Sequence, residues 1–129
     1  MKILAKVLPG ILGIAFLGVG LLFMFNPAAT LDRLELVPNA IAGWASIRSF
    51  IGGTFLGLAV LLFHGVIKSE GKPIRMVGIL LAAAVLGRIV SLVADGVDGT
   101  VIGPVVIEII LVAICFFAAN TLEAEATTS

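Results

Sequence analysis

Charged residues are scarce in this sequence. They make up 12% of the 129 residues, against roughly 25% in an ordinary soluble domain. Hydrophobic residues account for 60%, and the mean hydropathy is +1.25. A water-soluble domain is therefore excluded. Eight basic residues balance eight acidic ones, so the chain has no basic excess to attract nucleic acid, and we expect no nucleic-acid partner.

Several kinds of reactive site are also missing. Cys115 is the only cysteine and His64 the only histidine, which excludes an internal disulfide, a thiolate metal cluster and bis-histidine haem ligation within one chain. Asp95 to Gly99 is too short for a calcium loop and is read as a turn. Nucleophile elbows, phosphate loops and HExxH patterns do not occur. We therefore predict no catalytic residue, no metal site and no cofactor, and we favour a non-enzyme over an enzyme.

Long apolar runs are present instead, and they predict an all-α fold. A membrane-spanning helix needs about 20 apolar residues, and the first run exceeds the roughly 7–15 of a signal-peptide core. A stretch that mixes leucines with charges, about residues 27–37, predicts a short interfacial helix. The chain is thus expected to be one transmembrane domain, residues 1–129: an integral membrane four-helix bundle, up-down-up-down, with a frayed tail from Glu123. The predicted spans are residues 7–25, 44–67, 74–94 and 101–122.

The distribution of basic residues predicts the orientation. Lysine and arginine concentrate on the cytoplasmic side of membrane proteins. Five basic residues flank the spans on one side, and Arg33 and Arg48 lie on the other. Both termini are therefore expected in the cytoplasm, which disfavours dual-topology exporters and fluoride channels. The five are Lys2, Lys6, Lys68, Lys72 and Arg75.

Two charges fall inside the predicted spans at matching depth. At ~1.5 Å per residue, Arg88 lies about 9 Å below the outer end of span three, and Glu108 about 10 Å below that of span four. An unpaired charge at the centre of a span costs ~2.5–3.5 kcal/mol. Because a short turn makes the two spans neighbours, we predict an ion pair between Arg88 and Glu108.

Further polar residues approach this pair. Arg88, Ser91 and Asp95 share one helical face, Asp98 closes the top of the same region, and Arg48 enters span two from the same side, reaching inward or snorkelling to the interface. The candidate ligand-binding residues are Arg48, Arg88, Glu108, Asp95, Asp98 and Ser91.

These charges allow several interpretations. They form a buried ion-pair network that fixes helix register, or they line a pocket that holds an amphiphile such as a lipid or quinone. The leading hypothesis is a membrane-embedded binding or accessory protein of the second kind. The alternative is a small transporter or proton-coupled exchanger with Glu108 as the titrating group, and the third is a membrane enzyme acting on a lipid-soluble substrate.

Small residues at regular spacing indicate close helix packing. Gly53 and Gly57 stand four residues apart, a spacing that lets helix backbones approach each other. The favoured interpretation is packing inside one bundle. A homodimer seam is the alternative, and a membrane partner subunit is also compatible with the accessory hypothesis.

Short motifs along nearly the whole chain resemble a known group. They are Ile47-Arg48-Ser49-Phe50-Ile51-Gly52-Gly53, Gly87-Arg88, Asp95-Gly96 and Glu108. With the four-span layout, they resemble a largely uncharacterised family of small bacterial inner-membrane proteins grouped with the DoxX-like families. The resemblance implies an inner-membrane location and, from the better-known DoxX relatives, an accessory role beside quinone-linked redox complexes. It carries over no catalytic residue.

Overall fold

The fold is built from four long helices. The structure, a computed structural model, describes residues 1–128. A π-helical turn, Ile47–Gly52, joins the third and fourth helices into one continuous helix, Ile41–Lys68. No strand occurs in residues 1–128, and the predicted all-α class with a short helix between the first two spans is confirmed. The helices are α1 (Lys2–Phe25), α2 (Ala28–Leu34), α3 (Ile41–Ser46), α4 (Gly53–Lys68), α5 (Gly71–Ala94) and α6 (Gly99–Thr128).

The long helices extend beyond the predicted apolar spans. Polar residues at the ends of the runs continue the helices, so that only Ser69 and Glu70 separate α4 from α5. The prediction of a frayed tail from Glu123 is wrong for the described residues, because α6 continues to Thr128. Ion pairs explain this, since Glu123 bonds to Arg75 and Glu125 to Lys2. Ser129 lies outside the described residues.

The four long helices form a closed ring of neighbours. α1 packs against both α4 and α6, and α5 packs against α6 and α4. Each chain connection therefore joins adjacent antiparallel helices, as predicted for up-down-up-down topology. Each of the four long helices, with α3 and α4 counted as one, is long and apolar enough to cross a membrane. The chain is thus a multi-pass membrane helical bundle.

The hydrophobic core occupies mainly one half of this bundle. We call the half that contains the chain termini and the Ser69–Glu70 connection the inner half, and the opposite half the outer half. The buried residues of α6 begin only at Cys115, so the outer part of this helix contributes none. The largest fully buried side chains lie in the inner half: Leu62, Ile74, Leu122, Val77, Pro9 and Cys115.

The space around the glycines shows the same difference in packing between the inner end of the bundle and the rest. A Cβ added at Gly71 would meet the Ala119 carbonyl oxygen and lie 2.6 Å from Glu123 Cγ. A Cβ added at Gly53 or Gly57 would meet nothing within 4 Å. The favoured interpretation, that these two glycines pack inside the bundle, is therefore wrong. The alternative, that they form a homodimer seam, stays a prediction.

A different glycine pair brings α1 close to the continuous helix Ile41–Lys68. A Cβ at Gly52 would lie 3.1 Å from the Met24 backbone nitrogen, and one at Gly20 would lie 2.9 Å from Leu56. Gly52 is the last residue of the π-helical turn. This turn therefore contributes the surface that contacts α1, whereas Gly53 and Gly57 face away from it.

Candidate functional site

The predicted ion pair between α5 and α6 is confirmed. Arg88 Nε donates to both Glu108 oxygens, at 3.0 Å to Oε1 and 2.9 Å to Oε2. The Arg88 side chain is 38% exposed and that of Glu108 19%. Pairing in this setting is the expected physical outcome, because an unpaired charge among membrane-spanning helices is costly.

The pair uses only part of the guanidinium. Arginine normally engages a carboxylate through two nitrogens in a fork, but here Nε makes both bonds. Within residues 1–128, the two terminal amino groups of Arg88 have no hydrogen-bond partner. The pair is therefore electrically neutral yet retains unused N–H donors for an acceptor such as a carbonyl or phosphoryl oxygen.

Glu108 also forms part of the wall of a large crevice between the four long helices. The crevice has a volume of about 430 Å³. Its only lining residues with polar side chains are Glu108 and Thr54. Phe55 lies between two rings of α1, edge-to-face with Phe16 at 5.2 Å and stacked with Phe23 at 6.4 Å. The apolar lining residues are Phe16, Phe55, Leu58, Leu80, Leu81, Ala84, Pro104, Ile107 and Leu111.

Thr54 is a lining residue that the sequence interpretation missed. Its hydroxyl donates to the Phe50 carbonyl in the π-helical turn, so this turn helps to position the polar edge of the crevice. Such turns are often found at functional sites. The available signal was a single threonine in an otherwise apolar run, but nothing in the run indicated which side of the helix it faces.

The predicted rim residues take part in local structure instead. Ser91 donates to Asp95 at 2.8 Å, one turn along α5. Asp98 accepts from the backbone N–H and the hydroxyl of Thr100, at 2.8 and 2.9 Å, and so caps the start of α6. The hydrogen bond from the Thr100 backbone N–H has the larger effect and that from the Thr100 hydroxyl the smaller one. Both lower the pKa of Asp98 below its ordinary value. None of these residues lines the crevice.

Arg48 does not bond to the Arg88–Glu108 pair, so of the two directions predicted for its side chain the inward one is not observed. Its guanidinium donates to the Met24 carbonyl near the end of α1. The last carbonyls of a helix lack partners in their own helix, and a cation near that end is favoured by the helix dipole. The π-helical turn that contains Arg48 packs against α1, which provides this acceptor. Arg48 lines a separate pocket beside Trp44.

A second set of ion pairs lies at the inner end of the bundle. Arg75 donates to Glu123 Oε1 at 3.3 Å and to Asn120 at 2.7 Å. His64 pairs with Glu70 at 3.5 Å. Sequence analysis missed the partner of Arg75, although the argument from matching depth applies to it equally. No cluster of three metal-binding side chains occurs among the described residues.

Comparison with known proteins assigns the family. No curated protein and no solved structure matches the chain. A family model described as Domain of unknown function (DUF4345) matches residues 4–119. This region reaches into all four long apolar helices and includes Arg88, Glu108 and the residues that line the crevice. The chain therefore belongs to the DUF4345 family of unknown function.

Proposed function

We propose that this protein binds an amphiphile within the membrane, with the apolar tail in the crevice and an uncharged acceptor headgroup at the Arg88–Glu108 pair. A lipid or a quinone has this chemistry. The proposal rests on one observation: an apolar crevice borders an ion pair in which the terminal amino groups of Arg88 are unused N–H donors. The protein acts as a binding or accessory component rather than an enzyme.

The size and lining of the crevice support this proposal. Small-molecule sites occupy about 300–1,000 Å³ and are mostly apolar, with a few polar groups that orient the ligand. The crevice has about 430 Å³ and a single carboxylate in its wall. It lies among helices that are long and apolar enough to span a membrane. An amphiphile therefore reaches it from the bilayer without crossing water.

The charge of the pair selects the headgroup. Glu108 already neutralises the guanidinium, so an added anion would face the carboxylate and lose its own hydration without a free positive charge in return. A carbonyl oxygen accepts from the unused amino groups of Arg88 without adding charge. The preferred headgroup is therefore a ketone, quinone or ester rather than a carboxylate.

We further propose a bacterial inner-membrane location with both termini in the cytoplasm, and a DoxX-like accessory role beside a redox partner. The five-to-two distribution of basic flanking residues supports this orientation. The resemblance of the Arg48 and Arg88 motifs supports the accessory role, because the better-known relatives serve quinone-linked complexes. A quinone also fits the neutral headgroup preference.

A matched pair of variants on α5 tests occupancy of the crevice. Ala83 and Ala84 are neighbouring exposed alanines, but only Ala84 lines the crevice. Ala84→Trp fills the volume, whereas Ala83→Trp adds the same ring outside the crevice. Native mass spectrometry of gently extracted protein should show a co-purified amphiphile in the parent and in Ala83→Trp, with strong loss in Ala84→Trp. Equal retention in both variants would exclude the crevice as the site.

Two probes with one tail test the headgroup. Methyl palmitate and palmitate differ in charge but share their acyl chain. We expect the methyl ester to bind in preference to the acid. The Arg88→Met variant lacks the N–H donors and should bind the methyl ester more weakly than the parent does. Stronger binding of palmitate in the parent would contradict the neutral-headgroup assignment.

Transport through Glu108 has no specific support and stays a prediction. A route across the membrane has to pass the inner half, where Leu62, Ile74 and Val77 are fully buried against one another's helices. The crevice is lined by residues only as far inward as Leu58, Leu80 and Leu111. The third hypothesis, a membrane enzyme, likewise gains no support. Among the described residues, Glu108 and Thr54 are the only ones with polar side chains that line the crevice.

A further inference from the structure

A second pocket lies in the outer half, where the end of α1 meets α3. It has a volume of about 360 Å³. Arg48 and Trp44 line it from the α3 side, and the segment that ends α1 and begins α2 lines it from the other. This segment contributes Phe25, Asn26, Pro27 and Ala28. None of these residues lines the crevice that contains Glu108.

The charge of Arg48 is not neutralised. Its hydrogen-bond partner is the backbone carbonyl of Met24, which fixes one terminal nitrogen but carries no formal charge. In the described part of the chain no carboxylate forms an ion pair with Arg48. The contrast with Arg88 is direct, because Arg88 is paired with Glu108. Arg48 is therefore a positioned cation with donors left for an anion.

Two further donors line the same pocket. The Trp44 indole and the Asn26 amide have no side-chain hydrogen-bond partner among residues 1–128. An indole N–H and an amide NH₂ both donate to oxygen. Together with the guanidinium they form a set of donors suited to a group with several acceptor oxygens, and a phosphate is such a group.

The surroundings indicate that the pocket lies at the membrane surface. Phe25, which lines the pocket, is 74% exposed, as expected for an apolar side chain that faces lipid. Tryptophan favours the level of the lipid headgroups. The pocket lies beside the polar segment between α1 and α3, whereas the crevice lies deeper, between the long helices. A ligand here would be held by its headgroup.

We propose that this pocket binds a phosphate-bearing anion through Arg48, Trp44 and Asn26. Two sources share this chemistry: the phosphodiester of an anionic lipid and a free phosphate. The site is separate from the amphiphile crevice and does not rest on the function proposed for it. A crevice filled by Ala84→Trp should leave phosphate binding here unchanged.

The sole tryptophan makes the test direct. Trp44 is the only tryptophan, so its fluorescence reports the pocket alone. The full chain is reconstituted in nanodiscs of phosphatidylcholine with increasing phosphatidylglycerol. We expect a saturable change in Trp44 emission, and Arg48→Gln should weaken the response about tenfold, as expected for loss of one charge-assisted hydrogen bond. Arg33→Gln is the matched control, because it removes an exposed arginine of α2 that does not line the pocket.

The outcomes separate the two sources and the failure of the idea. If inorganic phosphate and glycerol 3-phosphate give the same response in phosphatidylcholine nanodiscs, the site binds free phosphate. If only phosphatidylglycerol responds, it binds the lipid. An equal response of Arg48→Gln and Arg33→Gln would overturn the proposal. Should Arg48→Gln fail to fold, Asn26→Ala and Trp44→Phe, measured by native mass spectrometry of bound phosphatidylglycerol, replace it, and full retention in both would overturn the site.

Discussion

The two halves of this bundle are packed in different ways although the same long helices form both. The inner half contains the fully buried side chains Leu62, Ile74 and Val77. The outer half contains a crevice of about 430 Å³ and a separate pocket of about 360 Å³. On α5 alone, a Cβ at Gly71 would clash with α6, whereas one at Gly87 would meet nothing within 4 Å.

Under the function proposed above, this difference separates stability from binding within one short chain. Dense packing and ion pairs at the inner end hold the helices together, so their outer ends can separate. Ionic contacts follow the same division. The inner pairs lie at the end of the bundle, peripheral to the core, whereas Glu108 lines the crevice between the long helices. We therefore regard the inner half as the scaffold and the outer half as the functional region.

The largest expected effect on stability is at the densely packed inner end of α5. Gly71→Ala should destabilise the protein by about 1–3 kcal/mol, because the added methyl group forces the Ala119 backbone to move. Gly87→Ala on the same helix should be neutral or stabilising by up to about 1 kcal/mol, because it replaces a helical glycine in open space. Unfolding in detergent, followed by circular dichroism, measures both. Equal destabilisation would show that the two halves are packed alike.

The next effect concerns the ion pair of the outer half. Arg88→Met leaves the Glu108 carboxylate unpaired and should cost about 1–2 kcal/mol of unfolding free energy. This is below the ~3–5 kcal/mol of a pair enclosed in packed protein, because the Glu108 carboxylate borders the crevice rather than packed side chains. The same denaturation measurement tests it. A loss as large as that of a core substitution would mean that the pair is part of the scaffold.

A smaller effect is expected for the ion pair at the inner end. Arg75→Met removes the bonds to Glu123 and Asn120, but both partners of the ion pair are about one-third exposed. Water and salt therefore screen it. The unfolding midpoint should fall less than in Arg88→Met, and the difference from the parent should shrink as salt is raised. A larger, salt-independent loss would reverse the ranking of the two pairs.

The smallest effect is expected for the cap of α6. Thr100 lowers the pKa of Asp98 below its ordinary value of 3.8, so the folded state favours the carboxylate. This contribution is fully present above the ordinary pKa and is lost as the pH falls through the lower folded pKa. Asp98→Ala should thus be slightly less stable than the parent at neutral pH, and the two should converge in acid. A difference that persists in acid would contradict the cap.

The sequence predicted the helices and one contact, but it did not predict the site. Run lengths located the four spans, and the matching depths of Arg88 and Glu108 predicted their pair because depth depends only on distance along a helix. The direction of the Arg48 side chain stayed open because it depends on how the π-helical turn packs against α1. The same uncertainty applied to Gly53 and Gly57, whose spacing does not say which side of the helix faces a neighbour.

The crevice could not be predicted because no local pattern encodes it. It arises where helices held together at one end separate at the other, and its lining is drawn from α1, α4, α5 and α6. Thr54 and Ala84 are ordinary members of apolar runs until the helices are assembled.

We propose that the Arg88–Glu108 pair serves binding rather than stability. The most direct test is the double variant Arg88→Met with Glu108→Leu, which replaces both charges by apolar groups of similar size. Because such replacements are often neutral or stabilising, we expect unfolding at or above the parent's midpoint together with loss of methyl palmitate retention in native mass spectrometry. A double variant that retains methyl palmitate at the parent's level would contradict the account.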